Sequence, residues 1–466
     1  MHHQNHHHHL HPTSHWPSTP NVDNNNDNMD DSSDPKNEGQ EYGKIRQPIN
    51  EANLNEYLVK HVPTIAAPVD VRQFTYGQSN PTYILTDKQG ARYVLRKKPP
   101  GTLLSPTAHA IDREFRILQA VGKYNDSLPS SSQSSSSKPH EDAVPVPRVF
   151  CLCTDTEVIG TPFFIMAFVQ GRIFSDVRML SMPTYSLRAA AWESAIRTLA
   201  NLHRIDPVKI GLGEYGKRSD FYPRQLRALS TVHGRQAEAE DRETGERVGG
   251  IPDFERLTGW FAKNSPADEN RIVHGDYKID NLIYHPTEPY VIAVLDWELS
   301  TLGHPLSDLA NLLQPFSLDC SIPHHPISEL RTRLHDPEER MNAVFERGEL
   351  ILMMGGLEEL EERLEREGEE RVSPLPGKST LIRTYCKQVG RAYPIPVWTY
   401  CEAWAWFRLS VIAHGIAARV AKGQASSGQA QLYASKFPDA ALSAVNVIER
   451  DQPGALTRLD SSAPKL

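Results

Sequence analysis

Residues 272–297 read IVHGDYKIDNLIYHPTEPYVIAVLDW and present three oxygen-bearing side chains at spacings that can do chemistry. Asp276 closes a His-Gly-Asp turn, Asn281 follows five residues later, and Asp296 ends a hydrophobic run. One carboxylate to take a proton from an alcohol, with a carboxamide and a second carboxylate for a cation, suits phosphoryl transfer. That reaction needs positioning and charge neutralisation more than covalent help. Mg²⁺ prefers hard oxygen ligands in near-octahedral geometry, which Asn281 and Asp296 would supply. Taken singly, Asp296 could equally cap a turn and Asn281 begin a strand. Together, at this spacing, the three favour chemistry.

The spacing matches the H-R-D-x-x-x-x-N…D-F-G pattern, with Asp296-Trp297-Glu298 in place of Asp-Phe-Gly. On that pattern Asp276 is the base for the hydroxyl, and Asn281 and Asp296 hold the metal. Apolar runs at 282–284 and 291–295 flank a Pro-containing turn, which predicts a hairpin with Asn281 and Asp296 at neighbouring ends. Upstream, 74–85 (FTYGQSNPTYIL) predicts strand, turn and strand, and amides around Gly77, Gln78, Ser79 and Asn80 could cradle phosphates. A lone glycine turn is otherwise an ordinary hairpin. Residues 92–96 (RYVLR) predict a strand that brings Arg96 to the place of the kinase lysine, with Lys97 and Lys98 adjacent. In 109–121, Ile111, Phe115 and Leu118 recur at helical spacing. Glu114 lies beside them, to pair with the basic residue or to remain a solvated charge. The apolar run 161–171 (TPFFIMAFVQG) predicts a strand reaching a hinge. There Met166 and the backbone near Ala167, Phe168 and Val169 would meet an adenine, although a plain core strand has the same composition.

On YGQSNPTYIL (76–85), YVLRKKPPGTLLSPTAHAIDREFRIL (93–118), PFFIMAFVQGR (162–172), IVHGDYKIDNLIYHP (272–286), VLDWELSTLGHPLSDLANLL (294–313) and FRLSVIAHGIAARVAKGQASS (407–427), the chain resembles the aminoglycoside phosphotransferase and choline kinase-like superfamily. Within it, the chain looks like the branch fused to acyl-CoA dehydrogenases in animals and standing alone in fungi and bacteria. The resemblance covers roughly residues 48–450. It implies an α+β, bilobal protein-kinase-like fold, with a small antiparallel sheet in the N-lobe and a mainly helical C-lobe. It also implies ATP- and Mg²⁺-dependent phosphorylation of a hydroxyl on a small molecule, with a hydroxy acid or its CoA ester as the preferred acceptor. Carried over, Asp276 is the base, Asn281 and Asp296 ligate Mg²⁺, and Arg96 contacts the nucleotide phosphates, with Lys97 as the alternative. The family's G-D-P-x-x-D-L-A stands here as GHPLSDLA at 303–310. Asp308 is expected to brace the catalytic loop from a helix start, and His304 replaces the commoner Asp.

At 466 residues and 39% hydrophobic, the chain can bury a large core, expected as an N-lobe at 46–170 and a C-lobe at 171–450. A net charge of −8 and a pI near 6.2 argue against nucleic-acid or anionic-membrane partners. No run approaches the roughly 18 apolar residues of a membrane helix. The Cys residues (151, 153, 320, 386 and 401) include one C-x-C pair without a second, which reads as reduced thiols rather than zinc. Residues 1–45, rich in His, Asn and Ser, and 451–466 are expected to be disordered tails. The Ser run at 130–137, the charged stretch 233–250 and the segment 320–378 read as insertions, with Leu357, Leu360 and Leu364 on one face of a short helix.

Helices are expected at 192–204, with His203 as a packing residue, and at 400–421, with Arg408 and His414 as candidates for an anionic group or as core polar residues. Cytoplasm is the expected compartment, with peroxisome as the alternative from the terminal Pro464-Lys465-Leu466. The competing function is a nucleotide-binding pseudokinase that regulates or scaffolds. Protein kinase activity is disfavoured because the hairpin at 74–85 carries no G-x-G-x-x-G loop and no A-P-E segment occurs, and an aminoglycoside acceptor because no acidic pocket is legible.

Overall fold

The computed structural model describes residues 42–43, 45, 47–74, 80–99, 111–129, 138–179, 181–317, 375–424 and 430–457. From the N-terminus come strand β1 (Tyr42–Gly43), helix α1 (Glu51–His61) and strands β2 (Val69–Phe74), β3 (Thr82–Asp87) and β4 (Arg92–Lys97). Helix α2 (Ile111–Asp126), strand β5 (Val149–Cys153), the one-turn α3 (Thr156–Ile159) and strand β6 (Phe163–Ala167) complete the first lobe. The strands pair antiparallel in the order β1-β2-β3-β4-β6-β5.

Side chains alternate across a strand, so each central strand serves two cores. Val94 of β4 and Phe164 and Met166 of β6 pack with Ile117 and Leu118 of α2. Tyr93, Leu95, Phe163 and Ile165 turn the other way, onto Leu54 and Leu58 of α1. Helix α2 buries Ile111, Ile117, Leu118 and Val121, and Glu114 with them. A carboxylate carried into an apolar face demands a cation, because burying it bare costs far more than the helix gains.

The second lobe runs through α4 (Tyr185–Arg204), α5 (Phe221–Ala237), α6 (Phe254–Lys263), β7 (Arg271–Val273), β8 (Leu282–Tyr284), β9 (Val291–Val294), β10 (Thr301–Gly303) and α7 (Leu306–Leu312). It closes with α8 (Lys378–Val389), α9 (Trp398–Ala421), α10 (Ala430–Ala434) and α11 (Phe437–Asp451). Strands β8 and β9 form the expected hairpin, and the Leu295 N–H donates to Asn281 O at 2.9 Å. The lobes are joined at Gly171, where a Cβ would lie 2.3 Å from Tyr284 O, so only glycine lets the chain pass the hairpin this closely. Helix α9 is apolar nearly all round, as a helix enclosed by others must be. Its Tyr400, Trp404 and Phe407 pack on Tyr222 of α5 and Phe261 of α6.

Three expectations change. Tyr42 and Gly43, inside the stretch expected to be a tail, pair with Phe74 and Gln73, because the edge of β2 offers backbone groups for pairing. Helix α5 continues to Ala237 and Glu240 bridges Arg247, so 233–250 is folded despite its charge. Leu456 is fully buried and its N–H donates to Glu449 at 2.9 Å, so the stretch just after 451, expected to be tail, is folded as far as Leu456. The N-terminal His cluster, 130–137, Cys320, Leu357, Leu360, Leu364 and Pro464-Lys465-Leu466 lie outside the described residues. Among the described residues no helix is long and apolar enough to cross a membrane, and Cys151, Cys153, Cys386 and Cys401 are free thiols.

Candidate active site

The turn that carries Asp276 is built from glycine and held by a buried carboxylate. Gly275 has φ +87°, and a Cβ there would lie 2.5 Å from Leu299 O. The N–H groups of His274 and Gly275 donate to the two oxygens of Asp308 at 2.7 and 2.9 Å. His203 Nε2 lies 3.3 Å from Asp308, and its Nδ1 is 2.7 Å from the Tyr385 hydroxyl. Burial works against the charge of Asp308, but His203, His274 and the Gly275 N–H outweigh it and hold the carboxyl below the usual range. A depressed folded pKa stabilises above the unfolded value, near ~3.9, and that stability is lost as pH falls through the folded value. Asp308→Asn cannot accept both N–H groups on two oxygens, and is expected to cost about 2–4 kcal/mol at pH 7. Urea unfolding should show that gap narrowing below about pH 4; equal stability at neutral pH would remove the bracing role.

Asp276 itself is fixed from both sides. Its N–H donates to His274 Nδ1 at 3.2 Å, while His274 Nε2 faces Leu295 O at 2.8 Å. A carbonyl only accepts, so Nε2 carries the proton and Nδ1 is the acceptor. Asn281 Nδ2 donates to Asp276 O at 2.8 Å and to its carboxylate at 3.1 Å, which leaves the Asn281 carbonyl oxygen for another partner. Lys278 Nζ stands 3.6 Å from the Asp276 carboxylate and 3.1 Å from that of Asp280. Burial opposes its charge, but these two carboxylates prevail and keep it protonated.

Between the sheet and the hairpin lies a cavity of about 240 Å³. Val94, Leu118, Met166, Phe168, Ile283 and Leu295 give it apolar walls, and Arg96, Glu114, Asn281 and Asp296 its polar end. The Arg96 fork bridges two carboxylates: Nη1 bonds Glu114, and Nη2 donates to Asp296 Oδ1 at 3.2 Å. Burial disfavours the guanidinium charge, yet Glu114, Asp296 and Glu298 together hold it firmly protonated. Burial pushes Glu114 up to about 7, against the pull of Arg96. Lys97 points to the opposite face, 5.8 Å above the Tyr83 ring, so the cavity receives Arg96. Asp296 sits at φ +64°, a left-handed conformation that Asp tolerates better than most residues.

Asn80 is buried and its Nδ2 donates to Glu298 at 3.2 Å, tying the start of β3 to the segment after Asp296. Gly77 and Ser79 lie outside the described residues. At the hinge, the Ala167 N–H already donates to Arg148 O at 2.7 Å, and the Phe168 N–H to Arg92 O at 3.4 Å. Asp276 does not line the cavity; it reaches it through Asn281, which does. Asn281 and Asp296 offer hard oxygens on one wall, and the Asp296 side chain keeps 35% of its surface exposed. That donor set fits a hydrated divalent cation such as Mg²⁺.

Lys278 and Glu298 join the site without having been singled out from the sequence. Each stands two residues beyond a candidate Asp, which is the signal that could have found it. Arg408 and His414, weighed as anion ligands, bond backbone instead: Arg408 Nη2 donates to Gly275 O at 2.6 Å and His414 Nε2 faces Gly249 O at 2.8 Å. Enclosure on α9 leaves such polar heads to seek the nearest acceptors.

An antiparallel sheet over a helical lobe, with Asp, Asn and Asp gathered at the cleft, defines a kinase-like phosphotransferase. Residues 70–325 match the model of the phosphotransferase enzyme family, and the chain belongs to that family. A solved structure described as a putative aminoglycoside phosphotransferase from Ralstonia eutropha is 30% identical, with a TM-score of 0.61 over 86% of this chain and 99% of that one. Acyl-CoA dehydrogenase family member 11 of Rattus norvegicus is 35% identical over 82% of this chain and 41% of its own length. The probable acyl-CoA dehydrogenase IBR3 of Arabidopsis thaliana is 33% identical over 80% of this chain and 39% of its own length. The chain thus spans about two fifths of these curated relatives.

Proposed function

We propose that this protein is an ATP- and Mg²⁺-dependent kinase that phosphorylates a hydroxyl of a small molecule, with a hydroxy acid or its CoA ester as acceptor. The observation that carries the reading is the bonding of Asn281 to the Asp276 carboxylate at 3.1 Å beside a cavity that Asn281 and Asp296 both line. Its apolar walls suit an adenine, and Arg96 brings a cation to its polar end for the phosphates, while Lys278 stands beside Asp276. Asp276 would accept the proton of the acceptor hydroxyl as the oxygen attacks, a role its fixed backbone favours. Asn281 and Asp296 would hold Mg²⁺, which supplies charge neutralisation on the transferring phosphates. Arg96, locked by Glu114, would orient the nucleotide rather than react.

The acyl character of the acceptor is supported by relatives named acyl-CoA dehydrogenases, whose sequences match this chain over part of their length. A nucleotide-binding pseudokinase is the second reading, and the presence of base and both metal-ligand candidates disfavours it. Purified protein incubated with Mg–ATP and a panel of hydroxy acids and their CoA thioesters is expected to release ADP with at least one acceptor. Binding of Mg–ATP without turnover on any of them would favour the pseudokinase.

A further inference from the structure

We infer that Arg408 is a positioning residue for Asp276, holding the peptide between Gly275 and Asp276 in the orientation that presents the carboxylate. The inference rests on reading Asp276 as the base. That one peptide is gripped at both ends. Its carbonyl, on Gly275, accepts from Arg408 Nη2 at 2.6 Å, and its N–H, on Asp276, donates to His274 Nδ1 at 3.2 Å. A peptide is planar, so the group turns as one body about the dihedrals beside it, and turning it swings the Asp276 side chain. Gly275 resists little, because at φ +87° a residue without Cβ meets no steric wall of its own. The restraint must therefore come from side chains.

Arg408 brings it from α9, 133 residues along the chain. The same guanidinium reaches the peptide between Tyr277 and Lys278 through a relay. Arg408 Nη1 lies 3.5 Å from Asn311 Oδ1, and Asn311 Nδ2 donates to Tyr277 O at 3.1 Å. The carbonyls of Gly275 and Tyr277, the residues on either side of Asp276, are thus tied to α9 and α7. A charged donor binds a carbonyl more strongly than a neutral one, and the planar fork serves two acceptors at once. None of the residues that Arg408 bonds lines the cavity, so the first effect of losing it falls on the proton acceptor.

The test separates these effects. Arg408→Met keeps the packing of the stem and removes the donors, while Arg408→Lys keeps one charged donor. The turnover readout is ADP release with 3-hydroxybutanoate and its CoA thioester, and with water as acceptor if neither reacts. Arg408→Met is expected to lower kcat about 10–100-fold, as a displaced reacting group does. Its affinity for Mg–AMP-PNP by calorimetry should stay within about twofold, with Arg408→Lys recovering much of the loss. Undiminished kcat in Arg408→Met, or a loss of nucleotide affinity as large as the loss of kcat, overturns the inference. If Arg408→Met does not fold, Asn311→Ala decides: a several-fold fall in kcat at constant nucleotide affinity is expected, and wild-type kcat overturns. Asp276→Ala run alongside keeps the two readings apart. Its retaining full turnover would remove the base itself, whereas its losing turnover while Arg408→Met keeps it would remove only the positioning role.

Discussion

Replacing Asp276 with alanine is expected to lower kcat by roughly 10²–10⁴, the range over which a positioned general base contributes. The affinity for Mg–nucleotide should hardly change, because Asp276 does not line the nucleotide cavity and its carboxylate contacts Asn281 and Lys278 instead. Removing the carboxylate leaves Asn281 Nδ2 bonded to Asp276 O at 2.8 Å, so the carboxamide keeps its orientation. Lys278 keeps Asp280 at 3.1 Å and stays in place. The loss should therefore fall on the chemical step alone. Steady-state turnover paired with calorimetric binding of Mg–AMP-PNP tests this directly. Turnover in Asp276→Ala equal to that of the unaltered protein would strip Asp276 of its role.

The second large effect concerns Asp296. Asp296→Asn is expected to abolish Mg²⁺-dependent nucleotide binding, so that affinities with and without Mg²⁺ converge. Asparagine is the informative replacement because it tolerates the left-handed backbone at φ +64°, which alanine would occupy only at a cost of about 1–2 kcal/mol. The change thus removes the anionic oxygen without adding backbone strain. It also relieves Arg96 of one carboxylate, while the buried bond to Glu114 remains. Binding that does not need the cation should persist or rise slightly, because Arg96 is freer to meet a phosphate. Calorimetric titrations of ATP in Mg²⁺ and in a chelator give both numbers. A Mg²⁺ dependence unchanged in Asp296→Asn would place the cation elsewhere.

Local patterns carried much of this. The hairpin that sets Asn281 beside the segment of Asp296 followed from two apolar runs and a Pro-bearing turn, because register and turn chemistry are short-range properties. The Glu114 partnership was legible as one of two options. The structure chose it because Glu114 falls on the same helical side as Ile117, Leu118 and Val121, where a carboxylate has no water to turn to. The choice between Arg96 and Lys97 was not legible. Both are basic and adjacent, and only the face of β4 that packs on α2 separates them. Charge hid the end of α5, since a solvated face and a loop share a composition.

The sequence by itself determined the α+β, bilobal family fold, and it put forward Asp276, Asn281 and Asp296, with Arg96 upstream, as the candidate chemical set. These rest on residue type and on spacings of a few residues, which the chain order states outright. Asp308 was legible as a brace from its motif, but the tertiary structure alone decided which backbone groups it holds and what else steadies the set: His203 beneath Asp308, Asn80 on Glu298, and Arg408 on the Gly275 carbonyl. Those contacts join residues 34 to 218 positions apart. No periodicity encodes such pairs, because they exist only once burial has brought the helices together and forced each enclosed polar group to find a partner.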